Sequence, residues 1–326
     1  MASGIETRPP QEAGRPGARR RRILVPTWRG ALLSGTALVA WVAGAGVCET
    51  GTPASGVSPS GPSPEGPESG PGPATPFRPD KGRTAVLAET FDRLDVGPGR
   101  TWGWKSAAYP DCVTNRPNFK LDRLSTSAMS VASGVLTVTA APQPDGRWQT
   151  GLLSTGDSCD SGGRDLEVRT GDVVAARVRL PDAETGAWPG VWTWRHGRNE
   201  IDIFEWHADR PGTLEFVNHV KGSAKFWHSR LVKRGSWLDI AVRLGAKRVT
   251  WYVGRPPGPL HAVFRDRVGV GPRFHSYLVA GLAVDDGSIH ARPDSDRPFS
   301  FQIASLTVHR PADVTPAPRE TGATRR

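Results

Sequence analysis

Short runs of alternating apolar and polar residues constrain the fold of this 326-residue chain more than any other feature. They recur from Thr84 to about Arg310, and turns such as Ser133-Gly134 and Asp285-Asp286-Gly287 separate them. Alternation of this kind indicates half-buried strands, and no stretch keeps a helical period for three turns. The clearest strands are Val135–Thr139, Val173–Leu180, Trp237–Leu244, Val249–Val253 and Phe301–Val308. Strands this short and this numerous predict an all-β fold, a two-sheet antiparallel β-sandwich of the jelly-roll type.

The N-terminus has the pattern of an export signal. Four arginines, Arg19–Arg22, precede the uncharged segment Ala31–Val47, which ends in small residues. A basic run before an apolar segment is typical of a secretory signal peptide, and Ala43-Gly44-Ala45 offers a small-residue cleavage site. An uncleaved membrane anchor through residues 23–47 is the alternative, because the segment is close to the minimum length of a membrane span. We therefore expect a secreted protein or one anchored to the outer face of the membrane.

The composition of the segment after the leader predicts a spacer. Residues 49–83 contain nine Pro, seven Gly and five Ser, too few large apolar side chains to offset the chain entropy of folding. We expect this linker and the C-terminal tail to be disordered. The predicted organisation is a basic leader with signal peptide or anchor (1–48), a Pro/Gly/Ser-rich linker (49–83), a folded domain (84–311) and a tail (312–326).

The charge distribution argues against a nucleic-acid partner. The chain carries a formal charge of +10, and seven Arg against two Glu in residues 1–30 supply half of it. Acidic and basic residues are interspersed in the remainder, whereas a nucleic-acid protein needs clustered Lys and Arg on a recognisable module. We expect a monomer without a nucleic-acid partner.

Two cysteines outside the leader predict one disulfide. Cys112 and Cys159 both lie in stretches rich in Gly, Asp, Asn and Ser that are typical of loops. In an exported domain such a pair is expected to be oxidised. A catalytic thiol is the alternative, but neither cysteine is adjacent to a histidine.

The side chains best suited to take part in a reaction lie in one predicted strand, Asn199–Trp206. Regular alternation places Glu200 and Asp202 on one face but turns Glu205 toward the core. A β-bulge at Ile203-Phe204 would add one residue and return Glu205 to the acidic face. Two glutamates on such a strand then lie near the roughly 5–5.5 Å separation of retaining glycosidases. A solvated outer face or a cation site explains the same acidic residues without catalysis.

A tryptophan-rich segment just upstream favours carbohydrate chemistry. Trp188, Trp192 and Trp194 fall on one face of a strand that the tight turn Arg195–Arg198 joins to the acidic strand. Core packing explains any single tryptophan, but three beside a row of carboxyls favour a surface on which sugar rings stack. The histidines are scattered and lack metal-ligand spacing, so the sequence predicts no metal site.

This hairpin resembles glycoside hydrolase family 16, the laminarinases and β-glucanases with a concanavalin-like jelly roll. The family motif Glu-x-Asp-x-x-Glu matches Glu200, Asp202 and Glu205, and its Gly-x-Trp-Pro-Ala-x-Trp signature resembles Gly186–Trp192, with Gly190 in place of Ala. The resemblance implies Glu200 as the nucleophile, Asp202 as an assisting carboxylate and Glu205 as the general acid/base. Weaker similarities extend over nearly the whole body, including Glu89–Asp92 as the opening strand.

The resemblance also bears on residues around the motif. His219 falls where laminarinase-like members carry an active-site histidine, so it is a candidate for substrate contact together with Trp188, Trp192 and Trp194. Glu215 departs from the pattern, since a fourth carboxyl would raise the pKa values of its neighbours unless Arg or Lys compensates. No catalytic cofactor is implied. Ala304 stands where many members have an Asp, which weakens the expectation of their structural calcium.

These observations predict an exported, retaining endo-β-glucanase whose partner is a polysaccharide substrate with β-1,3 or β-1,3-1,4 linkages. Two alternatives stay open at the level of sequence. A non-hydrolytic glucan-binding jelly roll would keep the tryptophans but would not need all three carboxyls. A transglycosylase that remodels cell-surface polysaccharide would use the same residues and exclude water.

Overall fold

The computed structural model describes residues 76–312 with the exception of residue 221. The predicted leader with its anchor segment, the linker up to residue 75 and the tail from residue 313 lie outside the described residues. Within the described part of the chain, no helix has the length and apolarity needed to cross a membrane.

Seventeen strands and two short 3₁₀ turns, Arg116–Asn118 and Thr126–Ala128, make up the described chain. The first nine strands are β1 (Arg83–Glu89), β2 (Asp122–Leu124), β3 (Met129–Ala132), β4 (Val135–Pro142), β5 (Trp148–Thr150), β6 (Leu152–Ser154), β7 (Glu167–Arg169), β8 (Val173–Arg179) and β9 (Ala187–Trp194). The remaining strands are β10 (Ile201–Glu205), β11 (Thr213–Asn218), β12 (Ser223–His228), β13 (Trp237–Leu244), β14 (Val249–Gly254), β15 (His261–Asp266), β16 (His275–Val284) and β17 (Phe299–Pro311).

The strands form two sheets, which confirms the predicted jelly-roll sandwich. The ten-stranded sheet has the order β15-β14-β13-β8-β17-β4-β5-β2, with β1 added to β17 and β3 to β4. The seven-stranded sheet has the order β12-β11-β10-β9-β16-β6, with β7 added to β16. The pairing is antiparallel except for the short parallel contact of β2 with β5. β10, which carries the acidic motif, therefore lies near the centre of the seven-stranded sheet.

The turn residues adopt the conformations that tight hairpins require. Ser133 and Gly134, between β3 and β4, both have positive φ, as do His196 and Gly197 between β9 and β10. Two consecutive positive φ values are characteristic of a type I′ turn, whose twist matches that of the strands it joins. In the second turn, the backbones of Arg195 and Arg198 exchange two hydrogen bonds of 3.1 and 2.8 Å.

The core lies between the sheets and fixes the orientation of β10. Ile201, Ile203 and Phe204 are fully buried, and the ring of Phe204 packs edge-on against Phe301 of β17 at 6.2 Å. Burial of side chains of this size stabilises the fold by roughly 1.5–3 kcal/mol each. Turning β10 over would expose these groups to water, so its carboxyls are held on the outer face.

The N-terminal strand differs from the sequence-based expectation. The opening strand was expected at Glu89–Asp92, but β1 ends at Glu89 and the chain then turns, with Phe91 at a φ of 55°. The Glu89 carboxylate accepts hydrogen bonds from the Phe91 amide at 2.8 Å and from Trp102 Nε1 at 2.9 Å. Capture of Glu89 by these donors explains why the strand ends there. Upstream, Phe77 stacks on Tyr252 with ring centroids 3.7 Å apart.

Candidate active site

The bulge in β10 brings all three motif carboxyls to one face. Three steps along β10, from Asp202 to Glu205, face only two steps along β11, and the register with β9 shifts in the same interval. Ile203 and Phe204, within this interval, both point into the core. The extra residue therefore restores Glu205 to the outer face, where the three carboxyls line one pocket of about 370 Å³.

The remaining lining of this pocket comes from three tryptophans, one histidine and several distant loops. Besides Glu200, Asp202 and Glu205, it includes Trp188, Trp192, Trp194, His219, Tyr109, Asn115, Asn118 and Lys120. Every candidate catalytic and substrate-binding residue predicted from sequence is thus brought together at one site, on the outer face of the seven-stranded sheet.

The three tryptophans of β9 share a face but differ in their contacts. Trp188, Trp192 and Trp194 are half-buried, while Val191 and Thr193 between them are fully buried. Trp188 Nε1 donates a 2.8 Å hydrogen bond to Glu205 Oε1. Trp188 therefore orients the Glu205 carboxyl, a role that the face pattern alone did not indicate.

Asp202 and His219 form a second fixed pair. His219 Nε2 lies 3.0 Å from Asp202 Oδ2, and the backbone oxygen of Asp202 accepts a 2.9 Å hydrogen bond from the buried Trp251 Nε1. The His219 amide also donates to the Glu200 carbonyl at 3.2 Å. His219 is thus an immediate neighbour of two motif residues and half of its side chain remains open to the pocket.

Burial and neighbouring charges shift the pKa values of Glu200, Asp202 and His219. Burial, with the charge of Asp202, raises the pKa of Glu200 to about 8, and burial with the charge of Glu205 raises the pKa of Asp202 to about 6. Burial acts to lower the pKa of His219, but the hydrogen bond and charge of Asp202 outweigh it and raise that pKa to about 9. Carboxyls this close cannot all ionise together. At neutral pH the site therefore combines a retained carboxyl proton with carboxylate charge.

Lys120 is a pocket residue that sequence reasoning missed. It is 8% exposed, its Nζ lies 4.1 Å from the centroid of the Trp188 ring, and its charge lowers the pKa values of Glu200 and Asp202. A lysine in a loop carries no local signal of such a role. Its position follows from the pairing of its backbone with Asp285, far along the chain.

Tyr109 and Asp122 fix the wall beside Lys120. Tyr109 Oη donates a 2.6 Å hydrogen bond to Asp122 Oδ2, and the Val284 amide donates to Asp122 Oδ1 at 2.6 Å. Burial raises the pKa of Asp122 to about 6, although Lys120 opposes this. This network ties the loop that carries Tyr109 to the end of β16.

Glu215 occupies an unusual position. It stands directly opposite Glu205 across β10 and β11. Burial, together with the charge of Glu205, raises the pKa of Glu215 to about 8, and Arg210 compensates only in part. The sequence-based expectation of a fourth carboxyl close to the motif therefore holds in this structure, and the partial compensation comes from an arginine.

The predicted disulfide between Cys112 and Cys159 is formed, with Cα atoms 6.2 Å apart. It joins the loop that carries Tyr109 to the loop after β6. The bond is structural and leaves the catalytic-thiol alternative without support.

Ala304 bears on the structural calcium that the family resemblance suggests. Ala304 lies in β17 where the pairing with β8 shifts register, and its methyl side chain supplies no oxygen ligand, whereas Ca²⁺ is bound by oxygen. No step of the chemistry below uses such an ion.

Comparison with solved structures identifies the fold. The chain is similar to an endo-β-1,3-glucanase from Pyrococcus furiosus, with a TM-score of 0.55, 17% identity, and coverage of 70% of this chain and 94% of that one. It is similar to a laminarinase from Flavobacterium sp. UMI-01, with a TM-score of 0.56, 18% identity, and coverage of 70% and 100%.

A third similar structure is SCLam, described as a non-specific endo-β-1,3(4)-glucanase of family GH16, with a TM-score of 0.56, 17% identity, and coverage of 73% and 94%. No family model and no curated protein matches the sequence. The resemblance first seen in one hairpin thus extends to the whole domain, and this chain has the jelly-roll fold of the family 16 laminarinases and β-glucanases.

Proposed function

We propose that this protein is a retaining endo-β-glucanase that hydrolyses β-1,3 or β-1,3-1,4 linkages. The observation that carries the proposal is the bulge in β10, which places Glu205 beside Glu200 and Asp202 in one tryptophan-lined pocket. A glucan-binding protein needs the aromatic surface but has no use for the bulge. The similar solved structures, named as glucanases, support the substrate class.

With a pKa of about 8, Glu200 retains a proton at neutral pH in the free site, so the reactive form is the one in which that proton has moved to Glu205. In this form, a carboxylate oxygen of Glu200 attacks the anomeric carbon. The glycosidic C–O bond breaks, and the carboxyl proton of Glu205 passes to the departing oxygen. Water then attacks the same carbon from the vacated side, gives its proton to Glu205 and releases Glu200. Protonated His219 pairs with Asp202 next to Glu200, and its positive charge offsets the negative charge of the carboxylates.

A Glu200→Gln variant tests the nucleophile. The side chain is nearly isosteric, so folding should survive, whereas kcat on laminarin or mixed-linkage glucan should fall by on the order of 10³-fold or more. Reducing ends released from β-1,3, β-1,3-1,4 and β-1,4-glucans and galactans provide the measurement. Retained hydrolysis by this variant would contradict the assignment.

Glu205→Gln distinguishes the two glutamates. It should reduce hydrolysis of polysaccharide by about 10²–10⁴-fold but spare the first step on an aryl glycoside, whose leaving group needs no proton. Proton NMR of the first product should show retained β configuration. Redistribution of chain lengths without new reducing ends would instead identify a transglycosylase, and binding without turnover by the wild-type protein would identify a non-hydrolytic glucan-binding protein.

We also propose that the leader delivers the domain to the outside of the cell, where such a substrate is found. Support comes from the basic run and uncharged segment Ala31–Val47 and from a disulfide in the domain, since disulfides persist in oxidising compartments. N-terminal sequencing of the secreted form should find a new terminus shortly after Ala45. Retention of residues 23–47 in the membrane fraction would favour an anchor, and a cytoplasmic protein would refute export.

A further inference from the structure

Lys120 places a largely buried ammonium group in the wall of the pocket. The residue is 8% exposed and lines the same pocket as Glu200 and Glu205. Within the described residues, no oxygen accepts a hydrogen bond from Lys120 Nζ and no carboxylate forms an ion pair with it. Buried charged groups are normally paired and hydrogen-bonded, so this ammonium group calls for an acceptor that a bound molecule supplies.

Three aromatic rings surround this ammonium group. Its Nζ lies 4.1 Å from the ring centroid of Trp188, 5.9 Å from that of Tyr109 and 6.0 Å from that of Trp192. A cation near an aromatic face is attracted by the ring quadrupole, which offsets part of the cost of burying the charge. The rings hold Nζ in place and leave N–H donors of Lys120 available to a ligand.

The backbone on either side of Lys120 is fixed to the segment that follows β16. Phe119 has a positive φ of 59°, and its carbonyl accepts a 3.0 Å hydrogen bond from the Asp286 amide. Lys120 itself pairs through its backbone with Asp285. The ammonium group is therefore preorganised, which reduces the entropy that is lost when a ligand binds.

The charges around the pocket favour an uncharged acceptor. The acidic groups include Glu200, Asp202, Glu205 and Glu215, and the basic groups that act on them include Lys120, His219 and Arg210. An anionic ligand would add a further negative charge beside these carboxyls, and like charges repel. A sugar hydroxyl accepts a hydrogen bond from an ammonium group and adds no charge.

We propose that Lys120 contacts the substrate directly and donates hydrogen bonds to hydroxyl oxygens of the sugar unit bound against Glu200 and Glu205. The identity of that sugar as part of a glucan rests on the proposed function. The positive charge of Lys120 also lowers the pKa values of Glu200 and Asp202. Lys120 thus binds the substrate and favours the ionised nucleophile at the same time.

The test compares Lys120→Met with wild type in the full chain. Methionine is unbranched and apolar, like the stem of lysine, so packing against the three rings should survive. KM on laminarin should rise about 10–100-fold, because hydrogen bonds from charged groups are among the strong ones. Binding of laminarin oligosaccharides in the inactive Glu200→Gln background, measured by calorimetry, should weaken by the same factor.

The pH profile separates a charged contact from simple packing. A positive charge favours the carboxylate form of Glu200, so its loss in Lys120→Met should move the acidic limb of kcat/KM to higher pH. The other groups that set this limb, Asp202, Glu205 and His219, are unchanged in the variant. Lys120→Arg keeps the charge and should restore the position of the limb and part of the affinity.

Lys105→Met is the matched control. Lys105 Nζ also lies over a tryptophan, 4.9 Å from the ring centroid of Trp104, but Lys105 is not among the residues that line the pocket. Its loss should leave KM, the oligosaccharide affinity and the pH profile unchanged. Near-UV circular dichroism verifies that each variant is folded, and Lys120→Arg retains the charge if Lys120→Met does not fold.

Wild-type KM, affinity and pH profile in folded Lys120→Met would overturn the role of Lys120 and leave the glucanase assignment intact. A wild-type protein that neither binds nor hydrolyses glucan would instead refute the proposed function and, with it, this contact. Tighter binding of carboxymethylated laminarin than of laminarin, lost in Lys120→Met, would identify an anion site and would also overturn the hydroxyl contact.

Discussion

At the scale of single residues, two of the three motif carboxyls are held by a neighbour from another strand or loop. Trp188 donates to Glu205 at 2.8 Å, and His219 pairs with Asp202 at 3.0 Å. Hydrogen bonds to charged groups contribute about 1.5–3 kcal/mol in proteins, more than neutral ones. The other end of the row differs, because burial and the charge of Asp202 raise the pKa of Glu200 to about 8. Glu200 and Glu205 therefore have distinct environments, as a nucleophile and an acid/base require.

The His219–Asp202 pair should make stability depend on pH. The folded-state pKa of His219, about 9, exceeds its ordinary value of 6.5. Its stabilisation is therefore complete below about pH 6.5 and is lost as pH rises through about 9. The difference in unfolding free energy between wild type and His219→Gln should shrink over that interval, by an amount that solvent at the half-exposed ring reduces.

Urea denaturation at pH 6 and pH 9.5 measures this difference. His261→Gln serves as the control, since the His261 side chain is exposed in β15 and its loss should change stability equally at both pH values. A wild-type advantage over His219→Gln that does not change with pH would show that His219 contributes packing alone.

At the scale of elements, the paired strands β9, β10 and β16 decide the shape of the pocket floor. Gly190 of β9 is opposite Glu205 on one side and Gly281 of β16 on the other. A Cβ at Gly190 would lie 3.3 Å from the Phe204 carbonyl oxygen and 3.6 Å from Glu205 Cγ. A Cβ at Gly281 would lie 3.1 Å from the Gly151 carbonyl oxygen and 3.3–3.4 Å from Leu152.

Alanine should therefore be tolerated at Gly190 but not at Gly281. Gly190→Ala should change the unfolding free energy by less than about 0.5 kcal/mol, because the reduced entropy of the unfolded chain is offset by one close contact with a backbone oxygen. Gly281→Ala should lower it by about 1–3 kcal/mol, since overpacking here moves backbone. Thermal denaturation of the two variants measures the difference. Equal effects on stability would contradict the prediction that the backbone is packed more tightly around Gly281 than around Gly190.

At the scale of the whole molecule, the loops that wall the pocket come from distant parts of the chain. The Cys112–Cys159 bond closes a separation of 47 residues, and the Tyr109–Asp122 hydrogen bond ties the same loop to the sandwich. These links fix the wall without relying on a large core of its own.

Removal of the disulfide should therefore lower the free energy of unfolding more than it lowers kcat. In the chain-entropy model, closing a loop of this length stabilises a protein by about 4 kcal/mol. The Cys112→Ser/Cys159→Ser double variant should lose about 2–4 kcal/mol of unfolding free energy and raise KM more than it lowers kcat, because Tyr109 moves with its loop. Urea unfolding and glucanase kinetics measure the two effects, and unchanged stability would contradict the prediction.

The sequence by itself determined the strands, the tryptophan face of β9 and, through the family motif, the bulge in β10. These features are local, because side-chain direction along a strand follows from the period of two and its interruption. The position of the turn at Ser133-Gly134 was equally predictable from the sequence. The opening strand at Glu89–Asp92 was placed wrongly, since hydrogen bonds from the Phe91 amide and the more distant Trp102 end β1 at Glu89.

Only the tertiary structure decided which distant side chains meet at the site. Lys120 reaches the pocket through backbone pairing with Asp285, and His290 reaches His207 from a loop more than eighty positions later in the sequence. Convergence of separate strands and loops depends on sheet order and crossover paths, which the packing of the two sheets against each other sets.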